Sequence, residues 1–180
     1  YRCDWSSDVC SSDLPVEQLL YFAAERLKQH SIPTSLRKNY ELGLKTLKSS
    51  QLLGKALAIS AQDINRLFPL DGLAADILTK ALQRYGQNER SLFTFLESPE
   101  LDEHINKGKF FDVAVCFDYL IKNLATEIED GEKNSFKPQW KAAISALERS
   151  EGLFSSNYGD AAKIIKTICL VNIFSPQNGL

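Results

Sequence analysis

The chain has 180 residues, with 21 lysines and arginines against 23 aspartates and glutamates, and 44% of it is hydrophobic. That length accommodates one domain or two small ones, and a formal charge of −2 lays down no overall basic footprint for nucleic acid. No apolar run approaches the ~20 residues of a membrane span, so a soluble, cytoplasmic protein with no membrane partner is expected.

Taken in chain order, the first segment is foreign in character. Asp4 to Leu14 reads DWSSDVCSSDL, which resembles a translated sequencing-library adapter along its whole length. Residues 1–14 are therefore set aside as a non-native tail before any reading of the fold. Without Arg2 and without Asp4, Asp8 and Asp13, basic and acidic residues balance at 20 each. Cys3, Cys10 and Trp5 go with the tail. The chain contains no methionine, and Ser175 to Leu180 follows directly on an apolar run. Both ends thus set the expectation of a piece cut from a longer protein.

From Pro15 onward the apolar spacing is helical nearly everywhere. Pro15 suits a first helical turn, and Val16, Leu19, Leu20, Ala23, Ala24 and Leu27 make one stripe. Ser31-Ile32-Pro33 interrupts it, and Leu36, Tyr40, Gly43, Leu44 and Leu47 make the next. A short helix is expected over Leu52 to Leu57. Ser60 with Asp63 has a capping arrangement ahead of Ile64, Leu67 and Phe68. Pro69 is read as opening the clearest helix, with Leu70, Leu73, Ala74, Ile77, Leu78, Ala81 and Leu82 facing inward and Gly86 ending it. Asn88 is the expected N-cap of a helix carrying Leu92, Phe93, Phe95 and Leu96. Pro99 to Gly108 reads as a short polar helix and loop, and Phe110 to Ile128 as one long helix. Glu129 to Asn134 is the best internal linker. Trp140, Ile144 and Leu147 mark a helix ending near Gly152. Asp160 is placed to cap the last one, with Ala161, Ile164, Ile165, Ile168, Cys169 and Asn172 on its inner side.

No stretch alternates long enough to be a strand. The expected fold is all-α: a multi-helix bundle of two subdomains, residues 15–130 and 136–180, divided by the polar linker. Cys116 and Cys169 fall in apolar helical patterns and read as small buried hydrophobes under reducing conditions.

The inventory for chemistry is short. His30 and His104 are the only histidines, and neither has a second ligand at metal spacing. They read as surface residues near helix ends. The phosphate loop G-x-x-x-x-G-K-S/T is absent, as is Gly-x-Ser-x-Gly. Glu127, Glu129, Asp130 and Glu132 read as a solvated loop rather than a cation site. No catalytic and no metal residue is assigned.

The segment that stands out is Arg84-Tyr85-Gly86-Gln87-Asn88-Glu89-Arg90-Ser91-Leu92-Phe93-Thr94-Phe95-Leu96. With Asn88 as cap, Arg90 lies in the first helical turn, where a cation opposes the helix dipole by ~0.3–1 kcal/mol. The same turn presents free N–H groups, so a phosphate there would be served by both the cation and the backbone. The plainer reading has Arg90 pairing with a surface acid and lying over Phe93.

The stretch from Phe68 to Leu96 resembles a segment of large bacterial P-loop ATPases, AAA- or STAND-like proteins found in antiphage defence islands. Their pattern is Y-P-L-H-P, an apolar helix, then R-Y/F-G-Q-N-E-R-S/T-L-F-x-F-L. The second half matches from Arg84 to Leu96. In the first half Asp71 and Gly72 stand where the family has His-Pro. Phe117-Asp118-Tyr119-Leu120 resembles the family's aromatic-Asp-Tyr-Leu element. Lys163 to Asn172 resembles a helix that opens its winged-helix unit. More loosely, the segment is similar to the sensor-2 element of AAA ATPases, one residue out of register.

The resemblance covers about residues 66–180, with residues 15–65 alike only in being helical, and it implies a helical lid-like bundle over residues 15–130 and a truncated winged-helix-like start over 136–180. ATP and Mg²⁺ would then be held by an upstream ATPase core, which is the first expected partner. Arg90, Arg84 and Asn88 would be the nucleotide-sensing residues, and nucleic acid or a defence protein a further partner of the parent. The alternative is a helical interaction or DNA-binding module with no nucleotide role.

Overall fold

Where the sequence repeats apolar residues every three or four positions, the chain is helical. The computed structural model describes residues 15–49, 65–86, 89–130 and 135–174, and no strand occurs among these described residues. The helices are α1 (Val16–Leu27), α2 (Thr34–Ser49), α3 (Gly72–Tyr85), α4 (Glu89–Leu96), α5 (Pro99–Lys107), α6 (Val113–Asn123), α7 (Ala125–Asp130), α8 (Lys137–Phe154) and α9 (Tyr158–Phe174). A 3₁₀ turn over Ser155–Asn157 joins the last two into a hairpin. The expected short helix at Leu52–Leu57, the Ser60/Asp63 cap and the Asn88 cap lie outside the described residues.

Helix α3 occupies the centre. It packs against α1, α6 and α9, and nearly every residue from Gly72 to Leu82 is buried. It starts at Gly72 rather than Pro69. Asp71 Oδ1 accepts from the Ala74 N–H at 2.7 Å, which makes Asp71 the N-cap. Ahead of it, Leu67 to Leu70 form a tight turn with a cis Phe68–Pro69 bond. Asp71 and Gly72 thus serve to begin the helix.

Helix α6 starts beside α3 in the same way. Phe111 N–H donates to Pro69 O at 2.8 Å, a parallel bridge links Leu70 to Phe111, and Asp112 caps α6 through the Val115 N–H at 3.0 Å. The single helix expected from Phe110 to Ile128 is therefore corrected at its start and in its interior. Phe110 lies outside any helix, stacked on Tyr40 with centroids 4.6 Å apart. Leu124 (φ −127°, ψ 25°) separates α6 from α7. Between α4 and α6, Ser98 caps α5, and Gly108 ends it in the left-handed region at φ 58°, where a glycine is favoured.

The stripe of α1 is buried as expected, from Leu19 to Leu27. Two other stripes differ. In α4, Leu92, Phe95 and Leu96 are core, but Phe93 is exposed and meets only the Phe22 ring, tilted at 6.3 Å, among the described aromatic contacts. In α9, Ala162, Cys169, Leu170, Val171, Ile173 and Phe174 are buried, whereas Ile164 and Ile168 face outward. Helix α9 is apolar on most sides, so its spacing alone does not identify the inner face. Helix α8 runs past Gly152 to Phe154. One hydrophobic cluster takes in residues of α1, α3, α4 and α6 together with Trp140, Ala143 and the inner residues of α9.

Candidate functional site

The motif segment begins in the last turn of α3. Arg84 extends from that turn to the end of α9, where its Nη1 donates to Ile173 O at 3.2 Å. Its guanidinium carbon lies 4.5 Å from the Phe136 ring centroid and 4.8 Å from that of Phe174. Tyr85 is buried, edge-on to Trp140 and Phe174, and its hydroxyl accepts from Trp140 Nε1 at 3.3 Å. Gly86 closes α3 by donating to Leu82 O. A Cβ at this position would lie 2.7 Å from Leu82 O and 2.7 Å from Ser91 Oγ, so only glycine fits the corner between α3 and α4. The Arg-Tyr-Gly triad therefore has a fold-level explanation: it anchors α9, the α8–α9 core and the turn.

Arg90 has a different setting. It lies in the first turn of α4, exposed, at the rim of a groove of about 330 Å³ between α4 and α6. Ser91, Thr94, Tyr119 and Asn123 supply polar groups to that groove, and Leu82 and Leu124 supply its floor. Thr94 Oγ1 donates to Arg90 O at 2.9 Å, and Asn123 Nδ2 donates to Tyr119 O at 2.9 Å. Burial, with the Glu100 carboxylate and Cys116 adding to it, holds the Tyr119 phenol up to about 12, so it remains a hydroxyl donor at neutral pH. Tyr119 stacks edge-on against Phe95 at 4.9 Å, which fixes its ring. Arg90 and Arg84 thus sit on opposite sides of the Gly86 corner and do not converge. Asn88 lies outside the described residues.

A second cavity, of about 410 Å³, opens where α3 and α6 begin and α2 crosses them. Asp71, Asp112 and Tyr40 line it with Leu36, Leu44 and Phe110. Burial pushes Asp71 up to about 6 against the pull of the Ala74 N–H, and the Asp112 carboxylate adds to the rise. Sequence reasoning did not pick out these two aspartates. The signal available was a lone Asp ahead of each of two apolar helices.

The remaining reactive groups are structural. His104 Nδ1 lies 2.9 Å from Phe110 O, with its ring edge-on to Phe111, so this half-buried histidine braces the α5–α6 connection. Cys116 and Cys169 are free and buried, and burial raises both thiols, that of Cys169 to about 12. Among the described residues no three His, Cys, Asp or Glu side chains gather where a metal ion could sit. No described helix is long and apolar enough to cross a membrane. No protein-family model, characterised protein or solved structure matches this chain.

Proposed function

We propose that this chain is the helical region following the nucleotide-binding core of a P-loop ATPase, and that Arg90 meets the phosphates of ATP held by that core. The observation that carries the reading is the position of Arg90, exposed in the first turn of α4 at the rim of a polar groove. The likeness of Arg84–Leu96 to a recurrent ATPase segment supports it. An arginine in a first turn stands against the helix dipole, and an incoming anion relieves that repulsion. The core would supply the phosphate loop, the Mg²⁺ ligands and the attacking water. Arg90 would stabilise charge on the transferring phosphoryl group. Cytoplasmic location and a link to antiphage defence belong to the same proposal.

The test compares two proteins. In this 180-residue chain Arg90→Ala is expected to leave the melting temperature nearly unchanged, because the side chain is exposed at the rim of the groove and is no part of the core. In the full-length protein the same change is expected to lower ATP turnover by ~10²-fold or more with little loss of ATP affinity, the pattern of a contact made in the transition state. A large stability loss in the chain with unchanged turnover in the parent would replace the nucleotide role with a bracing one.

A second reading is a helical interaction module. It draws on the outward-facing Ile164 and Ile168 of α9 and on Leu153 and Phe154 at the hairpin turn, which are exposed apolar side chains on neighbouring elements.

A further inference from the structure

The C-terminal turn of α9 is held in an unusual way. A helix ends with four carbonyls that lack partners inside the helix. Two of them, on Ile173 and Phe174, are met by cations from α3. Arg84 Nη1 donates to Ile173 O at 3.2 Å and Lys80 Nζ approaches Phe174 O at 3.5 Å. Lys80 and Arg84 are four residues apart and so lie one turn apart on the same face of α3. Lys80 is fixed in turn by the buried Asp76, whose Oδ2 it meets at 2.5 Å. The Arg84 guanidinium packs on the rings of Phe136 and Phe174, one just before α8 and the other at the end of α9. Positive charge at this end also complements the α9 dipole.

We propose that Lys80 and Arg84 form an electrostatic clasp on the last turn of α9, which adds to the burial of Ile173 and Phe174 and makes opening of this turn depend on charge. The clasp sits on the turn of α3 that leads through Gly86 into α4 and Arg90. Displacement of the α3–α4 corner therefore loosens or tightens the last turn of α9. What displaces the corner rests on the ATPase reading; the clasp does not.

The experiment is amide hydrogen exchange on the 180-residue protein at about 0.01 M and about 1 M NaCl, conditions between which the screening length falls from about 30 Å to about 3 Å. In the wild type, exchange at residues 170–174 is expected to quicken by about threefold in high salt, the size of a screened cation–dipole contact, and by more than in α6, where only the exposed Lys166–Asp118 pair to α9 is screened. A double variant, Lys80→Met with Arg84→Met, keeps the apolar stems and removes both charges. It is expected to exchange at the faster rate in both salts. Salt-independent exchange in the wild type would overturn the clasp, as would full protection in the double variant. So would loosening shared equally by α6, which would mark general destabilisation. The wild-type salt series decides the matter even if the variant fails to fold. None of these outcomes bears on ATP turnover, so failure of the clasp and failure of the nucleotide role are separable.

Discussion

Asp71 serves α3 at a cost. As a carboxylate it caps the helix through the Ala74 N–H and complements the dipole, but burial and the neighbouring Asp112 oppose its charge. The balance leaves its pKa at about 6, above the 3.8 of an unperturbed aspartate. A raised carboxyl binds its proton more tightly in the folded state than in the unfolded one. Its contribution to stability is therefore complete below about pH 4 and is lost as pH rises through about 6. Asparagine caps equally well and carries no charge. Asp71→Asn is expected to stabilise the protein by about 1 kcal/mol at pH 7.5, and the gain should vanish near pH 4. Urea titrations of both proteins at the two pH values check this, and destabilisation at pH 7.5 would show the dipole contact outweighing the burial. Individual residues were legible in the sequence only where local rules govern them. Gly86 as a helix stop followed from its position, whereas the clash that excludes a Cβ there comes from the Leu82 carbonyl and from Ser91 across the corner, contacts that appear only once the chain has turned. The partners of Arg84 are Phe136, Ile173 and Phe174, far along the chain, and no spacing rule reaches that distance.

At the scale of elements, α3 carries the packing of the molecule. Ile77 is 2% exposed, in the middle of that helix. Ile77→Ala is expected to cost ~2–5 kcal/mol, read from denaturant unfolding, because the cavity is walled by helices that cannot all close on it. Loss below ~1 kcal/mol would mean that the site collapses without cost. The inner stripes of α1 and α3 were legible because Leu19, Leu20, Ala23, Ala24 and Leu27, and Leu73, Ala74, Ile77, Leu78, Ala81 and Leu82, recur at helical spacing on one face. Helices α6 and α7 were not separable, since the apolar spacing of Phe117, Leu120, Leu124 and Ile128 continues through the break at Leu124. Helix α9 misled for the opposite reason. With isoleucines on both faces, its inner side is chosen by α3, α6 and α8, which only the tertiary structure brings together.

For the whole molecule, the described core runs from Leu19 to Phe174. The reading of residues 1–14 as adapter-derived implies a polar segment without an evolved partner to offset its ordering entropy. Deleting residues 1–14 is accordingly expected to leave the melting temperature unchanged, by calorimetry, to within about 1 °C. A fall of several degrees would restore those residues to the native protein. The all-α class was legible from the spacing, and the groove beside Arg90 was not, because its two walls, α4 and α6, are joined only in space. The same deletion leaves Cys116 and Cys169 as the only thiols of the chain. One is sealed in α6 against the centre, and the other lies near the end of α9, on the helix held by the clasp. The molecule therefore carries two internal clocks, and the order in which a thiol reagent reaches them separates fraying of its last helix from collapse of the whole.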